Sequence, residues 1–132
     1  MIYRVKHKLV QFLLLQSKTE GYWCPPKGRI EFNETEYECA IQETEEETGL
    51  TKTDYTIFDD QSTTTVTYLW RNKHEKTVTF WNAKMVDNEK TIKLSKEHSN
   101  FKWFDANEAI QKVYKRLPNL AETFKCICDE NK

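Results

Sequence analysis

Residues Gly28 to Leu50 read GRIEFNETEYECAIQETEEETGL, and this stretch decides the fold. Thr35 and Glu38 stand at capping-box spacing, and Gly49-Leu50 supplies a C-terminal stop of the Schellman kind, so a helix is predicted over Thr35 to Thr48. At about 100° per residue, Tyr37, Ala40, Ile41, Thr44 and Thr48 share one flank, which is expected to face the core. Glu43, Glu46 and Glu47 fall together on a different arc, while Glu45 points elsewhere. Like charges at i,i+3 and i,i+4 destabilise a helix by about 0.2–0.5 kcal/mol per pair, so such a stripe needs a reason. One reading is a solvated acidic face. The other is a divalent cation, because hard Mg²⁺ prefers a few carboxylates together with substrate phosphates. An EF-hand is excluded, since its alternating Asp/Asn ligands and central Gly are missing. The preceding loop, Trp23-Cys24-Pro25-Pro26-Lys27-Gly28, is stiffened by proline, ends in a Gly that allows close backbone approach, and sets a cation beside the acids.

Outward from this helix, strands are predicted at Ile2 to Val5, Leu9 to Gln16, Tyr55 to Phe58, Thr63 to Trp70, Lys76 to Met85 and Phe101 to Phe104. A second helix begins at Asp105, with Glu108 three residues on and Ala109, Ile110, Val113, Tyr114 and Leu117 on one stripe. Pro118 opens a further turn or short helix with Leu120, Phe124 and Ile127 inward. The order β, loop, α, several β, α reads as one mixed α/β layer structure. The 132 residues fit a single domain over 1–132, long enough to bury a core without a disulfide or structural metal. Mean hydropathy is polar at −0.81, yet dense apolar runs such as Phe12-Leu13-Leu14-Leu15 and seventeen Phe, Trp and Tyr argue against disorder.

Twenty Lys and Arg against twenty-one Asp and Glu give a net charge of −1, which speaks against a general nucleic-acid-coating or membrane-surface protein. Any anionic ligand must be handled locally. Cys24, Cys39, Cys126 and Cys128 contain no CxxC pair and have no His at ligand spacing, so free thiols in a reducing compartment are expected rather than zinc. Arg4, Lys6 and Lys8 before Leu9 to Leu15 mimic a secretory signal, but Gln11 interrupts the run and no cleavage site follows. No stretch reaches the roughly 18 apolar residues of a membrane span, and the expected location is cytoplasmic, with nuclear entry allowed at this size.

The segment Gly28 to Leu50 resembles the Nudix box: Gly, five residues, Glu, seven residues, Arg-Glu, a bulky residue, any, Glu-Glu, any, Gly and an aliphatic. Gly28, Glu34, Glu43, Glu46, Glu47, Gly49 and Leu50 match at the required spacing. The resemblance implies an α/β/α sandwich around a mixed sheet and Mg²⁺- or Mn²⁺-dependent hydrolysis of a nucleoside diphosphate linked to another moiety. Gln42 stands where the box has Arg; an amide offers only a neutral hydrogen bond to a helix carboxylate, unless another cation such as Arg29 compensates.

Beyond the box the chain resembles the animal-type asymmetrical diadenosine tetraphosphate hydrolases. The similarity lies in Phe12-Leu13-Leu14-Leu15-Gln16, Trp23, Pro25-Pro26-Lys27-Gly28, Lys76-Thr77-Val78, Trp81, Leu94-Ser95-Lys96-Glu97-His98 and Trp103. It implies that Glu97 assists the metal site or water activation, that Gly28 lies at the metal site, and that Lys27 and Lys76 approach the phosphate chain. It further implies that Tyr68 stacks on adenine with Tyr114 near the position of its partner, although Tyr114 also fits the core stripe of its helix. Three substrate-facing positions depart from the group: Phe80 replaces a Tyr, Tyr22 a His and Arg29 a His. The first strand, from Met1-Ile2-Tyr3, is several residues shorter than usual.

The expected reaction is water attack on a bridge phosphorus of a dinucleoside polyphosphate, giving ATP and AMP from the tetraphosphate. Glu43, Glu46, Glu47 and Glu97 would hold the metal, and Glu47 or Glu97 would accept the proton. A small nucleotide substrate and a monomer are expected. Two alternatives stay open: another Nudix pyrophosphohydrolase acting on an RNA 5′ end or an inositol pyrophosphate, and a catalytically silent nucleotide-binding module.

Overall fold

The computed structural model describes residues 1–27, 34–59, 63–70 and 73–132, with Trp70 described by its backbone. Eleven elements follow in order among these residues: β1 (Ile2–Lys6), β2 (Leu9–Ser17), β3 (Trp23–Cys24), α1 (Glu36–Thr48), β4 (Tyr55–Thr56), β5 (Thr63–Trp70), β6 (His74–Trp81), β7 (Ala83–Met85), β8 (His98–Phe104), α2 (Ala106–Val113) and α3 (Leu120–Glu130). The main sheet is built on β2. One edge of that strand pairs antiparallel with β1 through Tyr3↔Phe12 and, further along, with β3 through Leu15↔Cys24. Its other edge pairs antiparallel with β8, from Phe12↔Phe104 to Leu15↔Phe101 and on past a bulge at Gln16/Ser17 to Ser17↔His98. Beyond β1 come β7, in parallel, and β4. A separate antiparallel ribbon joins β5 to β6.

The unbroken apolar run in β2 is the signature of a strand covered on both faces. Phe12 and Leu14 enter one core with Tyr3, Phe104, Val113, Leu120 and Phe124, beneath α2 and α3. Leu13 and Leu15 enter the opposite core with Ile2, Leu50, Tyr55, Ala83 and Ile92, on the side where Ile41 of α1 packs. A sheet with helices on both faces results, the α/β sandwich expected. Truncating a fully buried leucine such as Leu14 removes about 2–5 kcal/mol.

Several boundaries differ from the sequence expectation, each for a local reason. The single strand expected over Lys76 to Met85 is divided at Asn82: β6 stays in the ribbon while β7 crosses into the main sheet. Only Tyr55–Thr56 pair within the expected strand Tyr55 to Phe58, and of the turn or short helix expected after Pro118 the structure has the helix, α3, of 11 residues. The capping box at Thr35 and Glu38 is present, and Gly49 adopts the left-handed conformation with φ of 79°. The stop is the simpler αL cap rather than the Schellman pattern. The Gly49 N–H returns to Glu45 O, and the Leu50 N–H turns to Thr48 Oγ1. The two later helices bury Ala109, Val113, Leu120, Phe124 and Ile127 as their stripes require, and Leu117 is buried from the turn between them, but Tyr114 leaves the stripe and is 65% exposed. All four cysteines are thiols. Among the described residues, no helix is long and apolar enough to cross a membrane.

Candidate active site

The helix α1 forms one wall of a cleft of about 1070 Å³. Glu43, Glu46 and Glu47 all line it, while Glu45 does not. The flank assigned to the core divides. Thr44 and Thr48 are buried, whereas Tyr37, Ala40 and Ile41 are only half-buried, and Ala40, Ile41 and Thr44 themselves border the cleft. Across from the helix stands the β5–β6 ribbon, whose register sets Tyr68 opposite Lys76. Lys27 and Pro26 enter from the proline-stiffened loop, and Ser95, Lys96 and Glu97 from the segment before β8. Phe80, also lining the cleft, is 3% exposed.

The three helix glutamates have different surroundings. Glu46 is exposed and accepts a 3.0 Å hydrogen bond from Gln42 Nε2, the neutral contact that an amide at this position can offer. Glu43 is half-buried. Glu47 is only 6% exposed; its Oε1 accepts from the Lys27 N–H at 3.2 Å, and its Oε2 lies 3.3 Å from His98 Nε2. Burial first, and then the negative charge of Glu43, push the Glu47 carboxyl up to about 8. Burial also lowers His98, with Glu97 opposing it. At neutral pH the pair is therefore a neutral hydrogen bond, with the Glu47 O–H donating to Nε2, rather than an ion pair. His98 Nδ1 completes the chain at 3.1 Å from Ser95 Oγ.

Backbone bonds hold the loop of Glu97 to the end of α1. Thr48 O accepts from the Lys93 N–H at 2.8 Å, and Glu47 O from the Ser95 N–H at 3.4 Å. The Glu97 carbonyl in turn accepts from the Lys18 N–H at 2.9 Å. Glu97 itself is exposed, so its backbone is fixed while its carboxylate faces the cleft and solvent.

On the cationic side, Lys27 Nζ donates to Tyr68 OH at 3.1 Å and lies 5.1 Å from the centre of that ring. Burial is the largest influence on Lys27 and lowers it, but the neighbouring Cys24 and Tyr68 together carry it above the usual lysine value. Tyr68 is 9% exposed, its ring covered by Lys27 and by Arg116, whose Cζ lies 5.1 Å from the ring centre. A second cleft, of about 450 Å³, shares Lys27, Glu47, Tyr68, Lys76, Lys96 and Glu97 with the first and adds Tyr22 and Arg116. Tyr22 is 45% exposed and lies under the Arg116 guanidinium, whereas Tyr114 lines neither cleft. Gly28 and Arg29 lie outside the described residues.

The structure thus brings Glu43, Glu46, Glu47, Glu97, Lys27, Lys76, Tyr68 and Phe80 around one cleft, leaves Tyr114 apart, and adds His98 and Arg116, which the sequence reading did not single out. His98 carried a signal, as the last residue of the Leu94 to His98 match; Arg116 carried none. Among the described residues, no three Asp, Glu, His or Cys side chains are close enough to close a metal site. Their chemistry nevertheless suits a hard cation. Glu43, Glu46, Glu47 and Glu97 are oxygen donors on one cleft, and since burial and Glu43 raise the Glu47 carboxyl despite Lys27, a further positive charge there would favour its carboxylate.

A mixed sheet between helices, with a glutamate-lined helix facing a lysine-bearing ribbon, is the architecture of one known class: the chain belongs to the NUDIX domain family, whose model matches residues 1–124. Nudix hydrolases work with a divalent cation. The chain is 40% identical to the asymmetrical bis(5′-nucleosyl)-tetraphosphatase of Caenorhabditis elegans over 84% of its own length and 79% of that protein. It is 36% identical to the Mus musculus protein of the same name, over 84% of this chain and 75% of the relative. The crystal structure of a C. elegans Ap4A hydrolase binary complex superposes with a TM-score of 0.85 at 34% identity, covering 98% of this chain and 93% of that one.

Proposed function

We propose that the chain hydrolyses dinucleoside polyphosphates, cleaving diadenosine tetraphosphate asymmetrically to ATP and AMP with Mg²⁺, or Mn²⁺ in its place. The observation that carries this reading is that Glu43, Glu46, Glu47 and Glu97 meet Lys27 and Lys76 on one cleft. A polyphosphate bridge needs both signs of charge: cations for its own oxygens and carboxylates for the metal that neutralises the rest. The relatives named above supply the substrate class.

Glu43, Glu46, Glu47 and Glu97 would hold the cation, which when bound supplies charge neutralisation and a more acidic water. Lys27 and Lys76 stabilise charge on the phosphate oxygens, with the Tyr68 hydroxyl orienting the Lys27 ammonium. We assign proton acceptance to Glu97. Glu47 is buried beside the Lys27 N–H and His98, whereas the Glu97 carboxylate stands at the open rim, within reach of solvent water. The water proton passes to Glu97 as the water oxygen bonds to phosphorus, and the P–O bond to the departing nucleotide breaks.

The test is incubation with diadenosine tetraphosphate and Mg²⁺, with products separated by ion exchange and Glu47→Gln as control. Equal ATP and AMP, lost in the control, is the expected result. Symmetric ADP, or no cleavage, overturns the reading.

A further inference from the structure

Arg116 has no part in the reaction just described, yet it is held with unusual care. Its Cζ lies 4.6 Å from the centre of the Tyr22 ring and 5.1 Å from that of Tyr68. Nη1 donates to Glu20 Oε2 at 2.8 Å. Nε is buried without a hydrogen-bond partner among the described residues. A guanidinium whose faces rest on aromatic rings makes its hydrogen bonds only in its own plane, through its edge. Here one edge donor is taken by a partly exposed carboxylate and another is left unmet, and a buried unmet donor on a charged group is costly.

The surroundings say what should meet it. The second cleft carries five cations, Lys18, Lys27, Lys76, Lys96 and Arg116, against three carboxylates. It is continuous with the carboxylate-lined cleft through Lys27 and Lys76, so a chain of anions can run from one into the other. We propose that the second cleft is an anion-binding extension of the active site, in which Arg116 receives the distal phosphates of the substrate and Glu20 is the internal anion they displace.

This inference rests on the polyphosphate reading for the identity of the ligand, but anion binding by Arg116 can be measured without turnover. The probe is inorganic tripolyphosphate, titrated calorimetrically into the full chain in EDTA. Arg116→Ala and Arg116→Lys are each expected to weaken binding by about tenfold, because lysine keeps the charge but not the planar edge. Glu20→Gln is expected to tighten it severalfold, which a merely structural role for the Arg116–Glu20 pair does not produce. In turnover of diadenosine tetraphosphate, Arg116→Lys should raise KM by a similar factor with little change in kcat.

Unchanged tripolyphosphate affinity in Arg116→Lys, or weaker binding in Glu20→Gln, overturns the proposal even if the enzyme cleaves the dinucleotide as expected. Arg116-dependent tripolyphosphate binding by a chain that does not cleave the dinucleotide upholds the anion site and rejects the substrate assignment alone.

Discussion

The two clefts meet at Glu47 and solve opposite electrostatic problems by opposite means. On the helix side, burial and the neighbouring Glu43 push the Glu47 carboxyl up to about 8 even against the opposing charge of Lys27, and the protein meets the cost by setting Glu47 against His98. On the other side, Arg116 is neutralised from within by Glu20 and stacked on tyrosine rings. The acidic wall thus gains its further positive charge only when a cation arrives, whereas in the basic cleft Arg116 already holds an internal partner that an arriving anion must displace. An arriving metal should therefore stabilise the fold strongly, and an arriving anion weakly.

The sharpest way to break this contrast is Glu47→Gln, which should lower kcat by about 10²–10⁴-fold at saturating Mg²⁺, since metal-based charge stabilisation is worth several kcal/mol. A loss below tenfold in a steady-state assay would make the acidic wall dispensable. Next in size, Mg²⁺ at a hundred times its Kd should stabilise the wild-type fold by about 2.7 kcal/mol, read as a rise in Tm, with most of the rise absent in Glu47→Gln.

Acidity gives a third test. Because the folded-state value of Glu47, about 8, exceeds the usual 4.5, the folded protein binds this proton more tightly than the unfolded chain. The stability it contributes is complete below about 4.5 and is lost as pH rises to about 8. In EDTA, the Tm of the wild type should fall across this window relative to Glu47→Gln, whose neutral amide does not titrate. A parallel pair of profiles would contradict the protonated state. The smallest effect concerns Gln42→Arg. Replacing the amide contact to Glu46 with an ion pair should add about 0.3–0.5 kcal/mol to the helix and raise the rate at limiting Mg²⁺. An unchanged or lowered rate would refute a catalytic cost of the missing charge at this position.

What could be read from sequence divides along the same line. The acidic wall lies within one helix, so Glu43, Glu46 and Glu47 reveal themselves by spacing alone, as does the double-sided core through the run Phe12 to Leu15. The basic cleft is assembled from residues near 20, 70, 97 and 116, and no periodicity links Glu20, Tyr22, Tyr68 and Arg116. The break at Asn82 is nearly as quiet, because a single Asn between Phe80-Trp81 and Ala83 is a weak turn signal and only tertiary pairing sends β6 and β7 to different sheets. Tyr114 misled for a related reason. It keeps the helical spacing of its neighbours, but α2 ends at Val113 and the ring turns to solvent.

The backbone bonds from Thr48 and Glu47 to Lys93 and Ser95 have an engineering consequence. They pin Glu97 to the end of α1 regardless of the path the chain takes in between. The excursion from Asp87 to Thr91 lies outside that clasp, tied to β1 by Asn88 and Glu89 and to Asp54 by Lys90, and a few flexible residues added after Lys90 leave these contacts in place and cost only a slowly growing closure entropy. A tag or reporter could be inserted there while the alignment of the remote glutamate with the helix is inherited unchanged.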